Sequence, residues 1–259
     1  MTGAASESAP GPDLPARERL LLLAALGTLA ALAWAYLMHH GASMSSMEMH
    51  ARDGLDFTMI AVMWIVMMLA MMLPSVAPTV LVHAAVSQRL ANVRERHWRS
   101  AAFVGGYALS WSSFSLIAAA LQVWLERLAL LSPALVDASP MLGGLVVAAA
   151  GVYQITPAKE VCLRHCRTPL QFVAEHWRPG VIGALRMGAW HGLYCIGCCG
   201  ALMALLFVVG VMNLAWVAAI ALFVLLEKVA FPGTRAGRVL SGILLVAAGL
   251  ILMSGFRHA

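Results

Sequence analysis

Residues 57–83 read FTMIAVMWIVMMLAMMLPSVAPTVLVH and contain no Asp, Glu, Lys or Arg. A helix needs about 20 apolar residues to cross the hydrocarbon core of a bilayer, and this stretch exceeds that length. Because apolar and polar residues do not alternate with period two, the stretch favours a helix over a barrel strand. Pro74 and Pro78 each remove a backbone donor. We therefore expect a kink or a break in the half of the helix that contains these two prolines.

The rest of the chain has the same character. Of its 259 residues, 61% are hydrophobic and only 11% are charged, which is too little polar surface for an ordinary soluble domain. Seven apolar stretches can be recognised, at residues 20–38, 57–83, 101–123, 141–157, 184–210, 213–231 and 239–256. We predict an all-α membrane protein, a polytopic bundle of about seven transmembrane helices.

The distribution of basic residues predicts the orientation. With the N-terminus in the cytoplasm and seven spans, 14 of the 17 Lys and Arg residues fall inside and 3 outside, as the positive-inside rule requires. The C-terminus is then outside. The predicted organisation is a disordered cytoplasmic tail (1–19), an anchor helix with a Met/His-rich outer loop (20–56) and a six-helix membrane domain (57–256). The net charge of +5 follows from this loop bias and indicates no nucleic-acid partner.

The five cysteines fall into two clusters, one at Cys162 and Cys166 and one at Cys195, Cys198 and Cys199. Both lie on the cytoplasmic side or inside the membrane, where cysteines indicate metal or redox chemistry more than structural disulfides. At helical spacing i, i+4 the fifth apolar stretch presents one row of soft or borderline metal ligands, with Cys198 beside it; the row is Met187, His191, Cys195, Cys199 and Met203. Ordinary packing and a redox role for the thiols are the alternatives.

Methionines form a second row at the same spacing. Met63, Met67 and Met71 follow Met59 along the first quoted stretch, where thioethers are also common as packing residues. The preceding outer segment adds Met44, Met47, Met49 and His50. In a hydrated loop such residues have no core to fill, and thioether with imidazole suits copper better than a hard ion. An incidental polar connector is the alternative.

Two sequence features bear on the charge of such a site. A monovalent ion held by two thiolates leaves one net negative charge, and Arg186 is the nearest basic residue along the chain. Glu227 and Lys228 lie near the end of the sixth stretch, where we expect a salt bridge at the helix end and a lysine that reaches the interface.

Several mechanisms lack their sequence motifs. The chain contains no phosphate-binding G-x-x-x-x-G-K-[ST], no H-E-x-x-H, no G-x-S-x-G and no C-x-x-C-H, which disfavours an ATP-driven pump, a hydrolase and covalent haem. We therefore expect a binding protein rather than an enzyme. The leading hypothesis is copper handling or transport, with zinc as the second ion and a metallochaperone or another membrane subunit as partner. The alternatives are a membrane thiol-disulfide oxidoreductase and a structural subunit of a membrane complex.

The same residues carry a family resemblance over about residues 57–250. The matching motifs are Met63-Trp64, Ala70-Met71-Met72-Leu73-Pro74, Tyr153-Gln154-x-Thr156-Pro157-x-Lys159, Cys162-Leu163-x-His165-Cys166-Arg167-x-Pro169, Gly188-x-x-His191-Gly192-x-Tyr194-Cys195-x-Gly197-Cys198-Cys199, Met203, Gly210-x-Met212-Asn213 and Glu227-Lys228. The chain resembles a bacterial domain-of-unknown-function family described as predicted metal-binding integral membrane proteins. The resemblance implies metal binding, a multi-span membrane fold and a ligand set of Cys162, Cys166, His191, Cys195, Cys198 and Cys199. We expect a location in the inner membrane of a bacterium.

Overall fold

The computed structural model describes residues 14–47, 57–88, 90, 92–128, 140–210, 213–229 and 235–255. Within these residues all regular structure is helical. The helices are α1 (Ala16–Met47), α2 (Phe57–Gln88), α3 (Val93–Arg127), α4 (Pro140–Gln154), α5 (Pro157–Arg167), α6 (Pro169–His176), α7 (Gly180–Met203), α8 (Leu206–Val209), α9 (Leu214–Val229) and α10 (Arg235–Gly255). The predicted all-helical fold is confirmed for the described part of the chain.

Four of the described segments are long and apolar enough to cross a membrane. They are Ala16–His40 in α1, the whole of α2, the whole of α3, and Gly180–Val209, which joins α7 and α8. The apolar parts of α4 and α10, Gly143–Gln154 and Ser241–Leu250, are shorter. These helices are compatible with a membrane protein, as the composition predicts.

The helix α2 occupies the centre of the structure. It packs against α1, α3, α6 and α9, while α3 and α5 pack on α7 and α4 packs on α10. The bulkiest fully buried side chains include Trp64 of α2 and Tyr107 and Trp111 of α3. The indole of Trp64 donates to Oε1 of Gln122 at 2.6 Å. This bond satisfies the polar end of an otherwise apolar contact between α2 and α3.

Of the kink or break expected at Pro74 and Pro78, the break does not occur, because α2 is helical through both prolines. In this region the carbonyl of Met72 accepts from the hydroxyls of Ser75, at 2.9 Å, and Tyr107, at 3.1 Å. Two side-chain hydroxyls thus bond to a backbone carbonyl of α2 in the buried region that contains the prolines.

Several helix boundaries differ from the sequence prediction. α1 begins at Ala16 and continues to Met47, so residues 16–19 of the predicted tail and residues 39–47 of the predicted outer loop have a helical backbone. The segment after α4, expected as a cytoplasmic loop, contains α5 and α6. α5 begins at Pro157, and the Thr156 side chain accepts from the Lys159 backbone N–H, which is the capping pattern of a helix start.

Candidate metal centre

The row of potential ligands predicted on the fifth apolar stretch lies on α7 and faces the interior. Met187, His191, Cys195, Cys199 and Met203 are all buried. Two glycines on α7 allow α3 to approach: a Cβ atom placed on Gly188 would lie 1.9 Å from the Phe103 carbonyl oxygen, and one on Gly192 would lie 2.6 Å from Ser110 Cβ. The backbone of α3 therefore lies directly against the helix that carries the thiols.

Three thiols of α7 form a compact group. The Sγ atoms of Cys195, Cys198 and Cys199 all lie within 4.8 Å of one another, and all three residues are buried. The thiols of Cys198 and Cys199 donate to the Cys195 carbonyl at 3.1 and 2.9 Å. The three sulfurs are close enough together to hold one metal ion. Such a donor set suits a soft transition-metal ion.

The environment of Cys195 is polar and charged. Its Sγ lies 3.1 Å from the Tyr107 hydroxyl and 2.9 Å from Lys228 Nζ. Lys228 Nζ also donates to Ser75 Oγ at 3.1 Å. The ammonium group therefore lies where it can offset the negative charge of a thiolate.

This arrangement corrects two sequence interpretations. Arg186, expected to offset the charge, is exposed, and the cation next to the thiols is Lys228. Lys228, expected to reach the interface and to form a salt bridge at the helix end, is buried, and its ammonium group contacts Cys195 and Ser75 instead of Glu227. Glu227 instead accepts from Lys159 Nζ at 2.8 Å. Both members of that ion pair are buried, and Gln154 Oε1 also accepts from Lys159.

The cysteines of α5 reach the cluster because α5 folds back onto α7. Cys166 Sγ lies 3.9 Å from Cys198 Sγ. Cys162 lies against Gly197, where an added Cβ would be 2.6 Å from the Cys162 Sγ. Burial raises the pKa of the Cys162 thiol, and a charge at Cys198 raises it further. For Cys166, hydrogen bonding with Cys195 and Cys198 raises the pKa, and burial adds to the effect.

α2 contacts the thiols of α7 through Met72, a methionine that was not among the predicted ligands. Met63, Met67 and Met71 are buried in the core. On the adjacent row, Met72 Sδ lies 3.9 Å from Cys199 Sγ. The sulfur-rich face of α2 therefore meets the sulfur-rich face of α7 at Met72.

The other predicted site residues have different surroundings. His191 Nε2 lies 3.4 Å from Thr79 Oγ1, one turn of α7 away from Cys195. Met187 Sδ accepts from the Arg178 backbone N–H at 3.4 Å. Met44 and Met47 lie in the last turns of α1, where only the backbone is described. Met49 and His50 lie outside the described residues.

Sequence reasoning did not assign Lys228, Tyr107, Ser75 and Met72 to the site. A lysine within an apolar stretch was a visible signal for one of them, because ionisable groups inside membranes are rarely incidental. For Tyr107 and Ser75 the sequence contains no such signal. Polar residues of this kind are common in buried helices, where their hydroxyls bond to a neighbouring backbone carbonyl.

The fold and the site define an all-helical protein of apolar spans with a buried thiol centre suited to a metal ion. The model of the PpoB2 family, described as a copper chaperone, matches residues 61–252. The chain belongs to this family. The match confirms the expectation that the chain belongs to a metal-related family. Comparison with curated proteins and with solved structures gives no significant match.

Proposed function

We propose that this protein is a multi-span membrane protein that binds copper as Cu(I) through Cys195, Cys198 and Cys199 and takes part in copper handling or transport. One observation carries the proposal: three buried thiol sulfurs lie within 4.8 Å of one another on one helix. The copper chaperone description of the family supports the choice of ion.

The donor types favour Cu(I) over Zn(II). The three thiols are joined by the Cys166 thiol and the Met72 thioether, each 3.9 Å from a sulfur of the group. Thiolates bind both Cu(I) and Zn(II), whereas the thioether of Met72 suits Cu(I) and is absent from the Cys and His ligand sets of structural zinc sites. His191 bonds to Thr79 instead of joining the three sulfurs.

The charges around the site balance for a monovalent ion. When two of the three cysteines bind Cu(I) as thiolates and the third as a neutral thiol, two protons are released and one net negative charge remains on the complex. Lys228, 2.9 Å from Cys195 Sγ, supplies one positive charge. In a membrane interior this compensation matters because an isolated charge is strongly disfavoured.

The topology in this proposal has seven spans, the N-terminus in and the C-terminus out, in the inner membrane of a bacterium. The distribution of Lys and Arg supports it. Copper is collected by the outer sulfur-rich segment and passes along α2, and it is exchanged with a metallochaperone or another membrane subunit. The residues in these roles are Met44, Met47, Met49 and His50 in the segment and Met63, Met67 and Met71 on α2, with His191, Met187 and Met203 flanking the thiols on α7.

The direct test is metal loading of the purified full chain. Titration with Cu(I) under anaerobic conditions, against a chromophoric chelator, should give about one tightly bound ion per chain, with only sulfur neighbours in X-ray absorption. Zn(II) titrated in parallel should bind more weakly. Absence of stoichiometric copper, or a tighter zinc complex with nitrogen neighbours, would contradict the proposal.

The charge of Lys228 yields a second prediction. Lys228→Met removes the ammonium next to Cys195 and should weaken Cu(I) binding by about 10–100-fold, the usual range for an outer partner of a metal site. Lys228→Arg, which keeps the charge, should restore part of the affinity. Chelator competition measures both.

Arg186→Met is the matched control, because it removes a cation from α7 that is exposed. It should leave the Cu(I) affinity unchanged. Equal losses in Lys228→Met and Arg186→Met would mean that net charge, and not the contact with Cys195, sets the affinity.

A thiol-disulfide oxidoreductase is the second candidate, because Cys166 Sγ lies 3.9 Å from Cys198 Sγ. Thiols this close can form a disulfide after a small movement. Trapping with alkylating reagents across a series of glutathione redox buffers separates the two functions. A reversible Cys166–Cys198 disulfide in metal-free protein, together with no copper binding, favours the oxidoreductase.

A further inference from the structure

A cavity of about 270 Å³ lies where α6 ends and α7 begins. The residues that line it are Glu175, His176, Trp177, Arg178, Met187 and Trp190. Because Glu175, Arg178 and Trp190 are exposed, the cavity opens at the surface. Of the six residues, Met187 is the one that is buried and the one that carries sulfur. Met187 therefore marks the inner side of the cavity.

Met187 is also the first residue of the row of α7 that leads to the thiols. Its Sδ accepts from the backbone N–H of Arg178, a residue of the same cavity wall, at 3.4 Å, so the sulfur lies on the cavity side. His191 follows after one helical turn and Cys195 after another, with a rise of about 6 Å for each step of four residues. Met187, His191 and Cys195 are all buried. The row thus connects the wall of the cavity to the first thiol of the cluster.

The middle residue of these three, His191, has one ring nitrogen without a partner. Its Nε2 lies 3.4 Å from Thr79 Oγ1, whereas its Nδ1 is buried and has no hydrogen-bond partner among the described residues. A buried polar atom without a partner costs free energy and is rare in folded proteins. The tautomer whose Nε2–H donates to Thr79 leaves a lone pair on Nδ1, and a metal ion can bind there.

Aromatic side chains surround His191 on the way to the thiols. The ring centroid of Tyr107 lies 5.9 Å from that of His191, and its hydroxyl lies 3.1 Å from Cys195 Sγ. The ring centroid of Phe172 lies 4.8 Å from that of His191, with an interplanar angle of 62°. A phenol oxygen is a hard donor and a phenyl ring has none, so neither competes for Cu(I) with the soft or borderline ligands of the row.

We propose that Cu(I) passes between the cavity and the thiol cluster by way of Met187 and His191, so that the cavity is where the ion is exchanged with a metallochaperone or another membrane subunit. This inference rests on the proposed function, in which the thiols of α7 bind copper. Met187 and His191 are successive positions on a route and not ligands of one resident ion. The ion exchanges one ligand for the next and stays Cu(I) throughout.

The chemistry of the row suits a route that leads to a tight site. Neither a thioether nor a neutral imidazole has to lose a proton when it binds a metal ion, unlike a thiol. Ions move along a route only when each position also releases them. On the other side of the cluster, one turn beyond Cys195, the Sγ of Cys199 lies 3.9 Å from the Sδ of Met72. The thiols therefore lie between the methionines of α2 and the route to the cavity.

The test measures how fast Cu(I) moves between the full chain and a soluble chelator, by stopped flow under anaerobic conditions. Met187→Leu keeps the volume of the side chain but removes its sulfur. It should slow both uptake and release about tenfold, which corresponds to about 1.4 kcal/mol in the barrier, and should change the equilibrium affinity by much less. The loss of a resident ligand would have the opposite effect on release, which would become faster.

Met68→Leu is the matched control. Met68 is as deeply buried as Met187, but it lies on α2 and does not line the cavity. The same exchange of thioether for hydrocarbon at this position should leave the rates of uptake and release unchanged. Unchanged or faster release in Met187→Leu, or an equal slowing in both variants, overturns the proposal.

A second measurement does not depend on copper. In the metal-free chain, methyl methanethiosulfonate modifies thiols that it can reach, and mass spectrometry locates the products. Met187→Ala enlarges the cavity toward His191 and should speed the modification of Cys195 several-fold relative to Met68→Ala, which removes the same volume elsewhere in the core. Equal rates in the two variants overturn the route even if the thiol cluster binds copper; a faster reaction at Cys195 in a chain that retains no copper supports access through the cavity and contradicts the proposed function.

Discussion

Replacing Cys195 with serine is expected to abolish tight copper binding, lowering the Cu(I) affinity by more than about a hundredfold, because removal of a ligand exceeds the effect of removing an outer partner. Cys195 contributes one of three sulfurs within 4.8 Å and is the one in contact with Lys228 and Tyr107. A serine hydroxyl keeps both hydrogen bonds but is a hard donor that does not suit Cu(I). Anaerobic chelator competition measures the loss.

Cys162→Ser is the graded comparison for this experiment. Its sulfur lies against Gly197 and is not one of the three clustered atoms, so its loss should reduce the affinity much less. Unfolding temperatures in detergent should be similar for the two variants and the unsubstituted chain. A Cys195→Ser protein that still binds one Cu(I) tightly would exclude the α7 cluster as the copper site.

The second large effect is expected at the contact between α3 and α7. A Cβ on Gly106 would lie 2.0 Å from the Leu185 carbonyl oxygen and 2.8 Å from the Ala189 nitrogen. These are backbone atoms, so the two helices must separate to accommodate Gly106→Ala. Overpacking of this kind costs about 1–3 kcal/mol or more in free energy of unfolding. Tyr107, the next residue, should then lose its contact with Cys195, so thermal unfolding and copper affinity should fall together.

Gly105→Ala is the adjacent control. A Cβ at this position meets the nearest atom, Leu185 Cδ1, at 3.8 Å, which is ordinary contact. Alanine also has the better helix propensity, by about 0.5–1 kcal/mol. The control should therefore unfold at the same temperature as the unsubstituted chain or higher. Identical behaviour of Gly105→Ala and Gly106→Ala would show that the close approach of the two helices does not stabilise the fold.

The fold class could be predicted from the sequence because burial of long apolar stretches in lipid leaves few alternatives to helices. The helices α5 and α6 could not, although Thr156 and Pro157 are a recognisable helix start. Short helices of this length are marginal by themselves and depend on packing against the rest of the chain. In this protein α5 packs on α7 and α6 packs on α2, and the pattern of a single helix contains no information about either contact.

For the candidate site, too, the sequence predicted the arrangement of residues within one helix and not their partners on other helices. The spacing of Cys195 and Cys199 places their side chains on one face of a helix whatever its neighbours are. The partners of the three α7 thiols, Cys198 included, come from other helices: Met72 from α2, Tyr107 from α3, Cys166 from α5 and Lys228 from α9. Arg186 is closer in sequence, and proximity in sequence was the wrong guide because an exposed face of α7 carries it.

The neighbours Glu227 and Lys228 point in different directions from α9, as consecutive helical residues do at about 100° apart. The carboxylate meets the ammonium of Lys159, and the ammonium of Lys228 meets Cys195. A turn of α9 about its axis by one position in one direction would bring the carboxylate toward the thiols. A turn by one position in the other direction would bring the ammonium group of Lys228 toward that of Lys159. The two opposite charges therefore favour one rotational setting of α9 and raise the free energy of the adjacent settings. Buried ionic groups can serve specificity in this way.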